Sequence, residues 1–88
     1  MTISIENLGT VNANKVWVGN LVVWFSYKTP VGFSFHGKRV CRQNDWSTTT
    51  GKLLNDIEPD HSLRVNGEVF QQALALAEKL NAKEMIEE

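Results

Sequence analysis

This sequence has little of what marks secreted or membrane-spanning proteins. Its one cysteine, Cys41, excludes an internal disulfide and fits a reducing compartment. Its longest apolar run is Leu21–Phe25, far shorter than the roughly 20 residues that a membrane-spanning helix needs. No basic and apolar leader pattern opens the sequence. We therefore expect a cytoplasmic protein that does not act in a membrane.

Sequence patterns for metal binding and catalysis are also missing. His36, Cys41 and His61 stand apart, without the spacing of zinc ligands. Cys41 has no neighbouring base to activate it, and is expected to be a small buried apolar residue. The acidic residues within 56–60 form a turn-like cluster that is expected to be solvated. The sequence therefore predicts no enzyme, no metal site and no cofactor.

Charge is unevenly distributed along the chain. Its 88 residues, 42% hydrophobic and 22% charged, are expected to form a single domain, residues 1–88. Residues 15–52 carry six basic side chains against Asp45, a net charge of +5, and the remainder carries −6. A basic middle segment attracts anionic partners. Ordinary solvated lysines and arginines are the simpler interpretation.

Short segments rich in β-branched and aromatic residues predict four or five antiparallel strands. These segments are Thr2–Glu6, Lys15–Val18, Leu21–Tyr27, Val31–His36 and Arg39–Asn44. Turn residues separate them at 19–20, at 28–30 and at 37–38. Alternation places Val31 and the two phenylalanines that follow it on one strongly apolar face. Another element must cover that face.

A C-terminal amphipathic helix is the predicted cover. Asn66 is a typical N-cap residue, and the helix is expected to run from Gly67 to about Asn81. Apolar residues recur at helical spacing and are expected to form one stripe: Val69, Phe70, Ala73, Leu74, Ala77 and Leu80. The six residues 83–88 are expected to fray.

The segment after Trp46 is the least regular part of the chain. Ser47 or Asp45 is suited to cap a short helix over Thr48–Ile57, with its leucines and isoleucine toward the core. Consecutive threonines and Gly51 disfavour a helix there, and such conflicts concentrate at functional or tightly packed sites. The predicted fold class is α+β: an antiparallel sheet of four to five short strands, the C-terminal amphipathic helix on one face, and a short helix after Trp46.

The Thr-Thr-Thr-Gly-Lys run at 48–52 matches a phosphate-binding P-loop only in part. That motif needs a glycine five positions before Gly51 and a hydroxyl residue after Lys52, but Trp46 and Leu53 stand there. An anion site built from a helix N-terminus, the hydroxyls and Lys52 remains open. A capped first helical turn is the simpler interpretation.

Aromatic residues offer a second candidate surface. Trp17, Trp24, Phe33 and Phe35, with basic residues nearby, resemble the ingredients of a stacking platform for single-stranded nucleic acid. In so small a domain most of them are expected in the core. Trp46 differs because it lies outside the predicted strands, either as a plug over the sheet or as an exposed anchor for a partner.

Three features occur together in Phe25–Asn55: a tyrosine-threonine strand, a glycine hairpin, and the pattern W-S-x-T-T-G-K at Trp46–Lys52. Together they resemble a small domain family of bacteriophages and prophages, with a looser similarity over Arg64–Leu74. Leu53 departs from that family's pattern, which has histidine there. The resemblance implies no known activity. It implies an accessory protein acting inside an infected bacterial cell.

We therefore expect a non-enzymatic binding module that engages a host or viral macromolecule, in the first instance a protein. Its predicted contact residues are Arg42, Asn44, Trp46, Ser47, Thr48, Thr49, Thr50, Lys52 and Asn55. Trp46 would be the anchor, with the hydroxyls and Lys52 as the polar rim. Two alternatives are capture of a phosphate-bearing small molecule or nucleotide, and binding of single-stranded nucleic acid. Open sheet edges also allow a homodimer.

Overall fold

A computed structural model describes residues 3–8, 13–43, 53–54 and 57–87 of the chain. Its elements are β1 (Ile3–Asn7), β2 (Ala13–Val18), β3 (Leu21–Ser26), β4 (Thr29–Phe35), β5 (Lys38–Cys41), a 3-10 turn (His61–Leu63) and helix α1 (Gly67–Glu87). The five strands form one antiparallel sheet in the order β1-β2-β3-β4-β5, a simple meander. The predicted α+β fold, an antiparallel sheet with a C-terminal helix, is confirmed.

Two-residue turns connect β2 to β3, β3 to β4, and β4 to β5. His36 and Gly37 form the last of these turns, and both have positive φ, 51° and 80°, as a type I′ hairpin turn requires. Tyr27 also has a positive φ, 56°, which is unusual for a bulky side chain. The predicted turn at 28–30 was placed too late, because Thr29 and Pro30 already belong to β4.

A β-bulge in β4 redirects Val31. Opposite Trp24 and Phe25, β4 contains one extra residue, and that residue is Val31. Val31 is fully buried in the cluster that contains Trp24, whereas Phe33 belongs to the cluster beneath α1. The prediction that Val31 shares a face with the phenylalanines of β4 was wrong, because strict alternation does not foresee a bulge.

Helix α1 packs on one face of the sheet, called here the helix face. The Val69 N–H donates a hydrogen bond of 2.9 Å to Asn66 Oδ1, so the predicted N-cap is confirmed. Phe70 is fully buried, and its ring centroid lies 5.7 Å from that of Phe33. Leu74 and Ala77 continue this buried stripe.

Two predictions for α1 were wrong. The helix does not end near Asn81 but continues to Glu87, because Asn81 and Glu84 fasten its C-terminal half to the sheet. Val69 and Leu80 were assigned to the core stripe but are exposed. Asn81 takes the core position that follows Ala77 at helical spacing, so the buried stripe ends on a polar residue.

The opposite face of the sheet has its own core. Leu53, Leu54 and Ile57 are buried there, as predicted, in one cluster with Trp24, Val31 and Cys41. Ile57 lies directly over Gly32, where an added Cβ would be 3.0 Å from Ile57 Cδ1. The short helix predicted after Trp46 falls largely outside the described residues.

Candidate functional site

Helix α1 covers only part of the helix face and leaves a groove beside it. The helix packs mainly against β3 and β5, and no other described element packs over the β1–β2 side of this face. Between β2, β3 and the C-terminal half of α1 lies a space of about 520 Å³, called here the groove. Such a volume is typical of ligand-binding clefts.

The floor of the groove follows from the alternation of β2 and β3. Val16 and Val18 of β2 point to the helix face and meet Val23 and Phe25 of β3. Ile5 of β1 pairs directly with Val16, so it extends the same surface, and its side chain is 72% exposed. The floor is therefore a continuous apolar surface over three strands.

The wall of the groove is the last part of α1. Ala82, Met85 and Ile86 line it, and Ile86 is 85% exposed. Among the described residues, Glu78 is the one charged side chain in the lining. The floor and the wall together form an apolar surface in the angle between the sheet and the helix, and the described residues leave it accessible to solvent.

Asn81 fixes the wall relative to the floor. Its Nδ2 donates a hydrogen bond of 2.8 Å to the Val18 carbonyl, and its Oδ1 accepts one of 3.1 Å from the Asn20 N–H. The side chain is only 3% exposed. Gly19 of the same turn has φ 59°, and a Cβ there would lie 2.9 Å from Asn81 Oδ1. Glycine is therefore required both by the backbone and by this close approach.

A second polar contact holds the same half of α1 to two turns of the sheet. The Glu84 carboxylate lies 2.8 and 3.0 Å from His36 Nε2 and accepts a 3.1 Å hydrogen bond from Asn20 Nδ2. The hydrogen bond with His36 lowers the pKa of Glu84, and this effect outweighs desolvation. Sequence reasoning missed Asn81 and Glu84; the helical spacing after Ala77 is the signal that marks Asn81.

Of the nine predicted contact residues, the structure places Arg42. The other eight lie outside the described residues: Asn44, Trp46, Ser47, Thr48, Thr49, Thr50, Lys52 and Asn55. The Arg42 N–H donates to the Val31 carbonyl at 3.0 Å, and Arg42 forms a parallel bridge with Val65. Its guanidinium lies against Gly67, where a Cβ would be 2.7 Å from Arg42 Cζ. Arg42 thus packs at the start of α1, away from the groove.

The structure does not bring the predicted aromatic platform together. Phe33 and Phe35 lie on the helix face, whereas Trp17 and Trp24 lie on the opposite face. Lys15 Nζ sits 4.7 Å from the Trp17 ring centroid and 5.0 Å from that of Trp24, in cation–π geometry. These four aromatics therefore share no common stacking surface.

Most of the chain matches a known protein family. A family of unknown function, DUF8033, has a sequence profile that matches residues 3–72. The chain belongs to this family. No curated protein and no solved structure matches it.

The DUF8033 match contains all five strands and the start of α1. It therefore includes the floor of the groove, but it ends before the wall, which begins at Glu78. Within the part of the chain that the structure describes, no helix is long and apolar enough to cross a membrane. That part also shows no cluster of three histidine, cysteine or acidic residues suited to a metal ion.

Cys41 lies in the DUF8033 region as a buried apolar residue, as predicted, and is 2% exposed. Burial raises the pKa of its thiol more than the nearby Arg64 charge lowers it. The Arg64 side chain itself donates a 3.1 Å hydrogen bond to the Glu58 carbonyl. Burial and the raised pKa both disfavour the thiolate, which is the reactive form, and this supports a packing role for Cys41.

Proposed function

We propose that this protein is a small non-enzymatic binding module that engages another protein through the groove. We further propose that it is an accessory protein of a bacteriophage or prophage, acting in the cytoplasm of the bacterial host on a host or viral protein. The phage context is supported by the resemblance at Trp46–Lys52. The groove is the observation that carries the binding proposal.

Exposed apolar side chains make the groove suited to a protein partner. Ile5, at the far edge of the floor, is 72% exposed, and Ile86 in the wall is 85% exposed. Exposed apolar surfaces bordered by polar residues often mark sites of protein–protein interaction. Apolar residues surrounded by polar ones are the usual composition of the core of a protein interface.

The groove gives less support to the two alternatives. Among the described residues that line it none is basic, so it offers no cation to a phosphate group. The Trp46–Asn55 segment, predicted from the sequence as the contact surface, stays a prediction, since it lies mostly outside the described residues. Its hydroxyls and Lys52 remain the place to look for an anion.

Affinity capture with two matched variants tests this proposal. Ile86→Glu places a charge in the wall, whereas Leu76→Glu places one at a 59% exposed position on the same helix outside the groove. The tagged proteins are expressed in a bacterial host with and without phage infection, and co-purified proteins are quantified by mass spectrometry. We expect a partner that is retained by the wild type and Leu76→Glu and reduced at least tenfold by Ile86→Glu.

The contradicting results are equally definite. A partner retained equally by all three proteins would show that the groove is not the contact surface. Co-purified nucleic acid whose amount falls steeply as salt rises would favour the nucleic-acid alternative instead. Bound small molecules that are unaffected by Ile86→Glu would favour the ligand alternative.

A further inference from the structure

The space beside α1 has the width of one helix. Neighbouring strands lie about 4.8 Å apart, so β1 and β5 are separated by roughly 19 Å. A helix with its side chains is about 10 Å wide, and packed helices lie about 8–10 Å apart. Since α1 packs mainly on β3 and β5, the strip over β1, β2 and the uncovered part of β3 has room for one more helix beside the described elements.

The length of the groove also fits a short helix. Strand β2 has six residues, which span roughly 20 Å at about 3.4 Å per residue. A helix rises about 1.5 Å per residue, so roughly 13 residues, between three and four turns, cover the floor.

The chemistry of the floor favours a helix over an extended peptide. The backbone groups of β2 are used in ladders with β1 and β3, so the floor presents side chains such as Val16, Val23 and Phe25. An extended segment lying on these side chains would leave its own backbone groups unpaired, which is costly away from water. A helix satisfies its backbone internally and offers a matching apolar stripe.

Glu78 adds a charge preference. It is the charged residue of the described lining, and it stands at the edge of an apolar surface. A partner that places lysine or arginine opposite it gains a favourable contact, whereas an acidic residue there is repelled.

Resting on the proposed function, we infer that the groove binds an amphipathic α-helix of a partner protein, about 13 residues long. Its apolar stripe lies on the floor and a basic residue faces Glu78. The arrangement is the helix-in-groove mode of recognition, with α1 and the bound helix side by side on the sheet.

A second copy of this chain is the competing occupant. Three exposed apolar residues of α1 lie in a stripe on one side of the helix at heptad-like spacing: Val69, Leu76 and Leu80. This stripe and the groove lie on different sides of α1. Insertion of the stripe into a neighbour's groove would thus be a head-to-tail contact, which tends toward open chains of copies instead of a closed dimer.

Selection from two displayed peptide libraries tests the inference. Both contain 16-residue peptides randomised at positions i, i+3, i+4 and i+7; the second has a central proline that prevents a continuous helix. Each library is sorted for binding to the full chain. We expect binders from the helical library alone, with apolar residues at three randomised positions and lysine or arginine nearby.

Variants then locate the bound peptide. Ile86→Glu should weaken a selected peptide at least tenfold, and Leu76→Glu should change its affinity less than twofold. Glu78→Lys should weaken it about threefold to tenfold, and exchanging the peptide's basic residue for glutamate should restore binding to that variant. Failure of this charge exchange would overturn the role given to Glu78.

Other outcomes separate this inference from the proposed function. Equal selection of binders from the proline library would refute a helical partner but not the proposed function. The same conclusion would follow if neither library gave binders while capture from cells still depended on Ile86. Sedimentation that shows self-association lost in Ile86→Glu would assign the groove to a second copy and overturn it too. Failure of both capture and selection would refute the proposed function itself.

Discussion

Replacement of Asn81 by alanine tests how α1 is held on the sheet. The substitution removes hydrogen bonds of 2.8 Å to the Val18 carbonyl and 3.1 Å from the Asn20 N–H, together with a weaker one of 3.5 Å to Met85 Sδ. The contacts with Val18 and Asn20 are each worth about 1–1.5 kcal/mol, because their backbone partners are part-buried, so together they contribute about 2–3 kcal/mol. The higher helix propensity of alanine returns about 0.5 kcal/mol. We therefore expect Asn81→Ala to lower the free energy of unfolding by about 2 kcal/mol.

Two assays follow this perturbation. Urea unfolding should show the loss in stability, and the melting temperature should fall by roughly 8–16 °C for a domain of this size. Hydrogen exchange should quicken most at residues 82–86, because Asn81 fastens the wall of the groove. Gln72→Ala, at an exposed position of the same helix, is the control and should stay within about 0.5 kcal/mol of wild type.

The reasoning is refuted if Asn81→Ala is as stable as Gln72→Ala. The reasoning is also refuted if hydrogen exchange quickens uniformly along α1, because Asn81 would then not act as a local anchor for the wall of the groove. Asn81→Asp should be at least as damaging as alanine, since its carboxylate would face the Val18 carbonyl oxygen that now accepts a hydrogen bond.

Three further predictions concern other parts of the sheet and its contacts. Because the pKa of Glu84 is lowered in the folded state, its contact with His36 stabilises the fold above the ordinary glutamate pKa of about 4.3, and this stabilisation is lost as pH falls through the lower folded-state pKa. The difference in unfolding free energy between wild type and Glu84→Gln, measured by urea titration, should therefore be smaller at pH 3 than at pH 7. A difference that does not change with pH would contradict this. Tyr27→Gly should raise the free energy of unfolding by about 0.5–1 kcal/mol because it relieves a positive φ, and a loss of stability would show that the ring contributes more than the strain costs. Gly32→Ala should lower the free energy of unfolding by about 1–3 kcal/mol, because the new Cβ would be too close to the Ile57 side chain. An unchanged melting temperature would show that Ile57 can move aside without cost.

Local patterns were sufficient for much of the fold. Alternating strand residues, paired turn residues and the Asn66 cap act within a few positions, so the sheet and the start of α1 were predictable. The same is true of Leu53, Leu54 and Ile57, whose spacing indicated their burial.

Other features depend on distant parts of the chain and left no local signal. The bulge at Val31 depends on how β4 meets β3, and the length of α1 depends on contacts with turns that are more than 45 residues away in sequence. The burial of Asn81 interrupts the apolar stripe of α1, and it is explained by the hydrogen bond to Val18 on the β2–β3 hairpin, which the helix sequence alone does not indicate. The groove exists because one helix is too narrow to cover a sheet of five strands. That mismatch depends on the whole fold and cannot be predicted from any single segment of the sequence. All nine predicted contact residues stay predictions, and eight of them lie outside the described residues.

Site-specific photo-crosslinking is the most direct test of the groove as a protein-binding surface. A benzophenone amino acid replaces Ile86 in one variant and Leu76 in the other, two exposed positions on different sides of α1. After irradiation of host cells, position 86 should crosslink to a distinct partner protein and position 76 should not. Crosslinks of equal yield and identity from both positions, or none from position 86, would contradict the account.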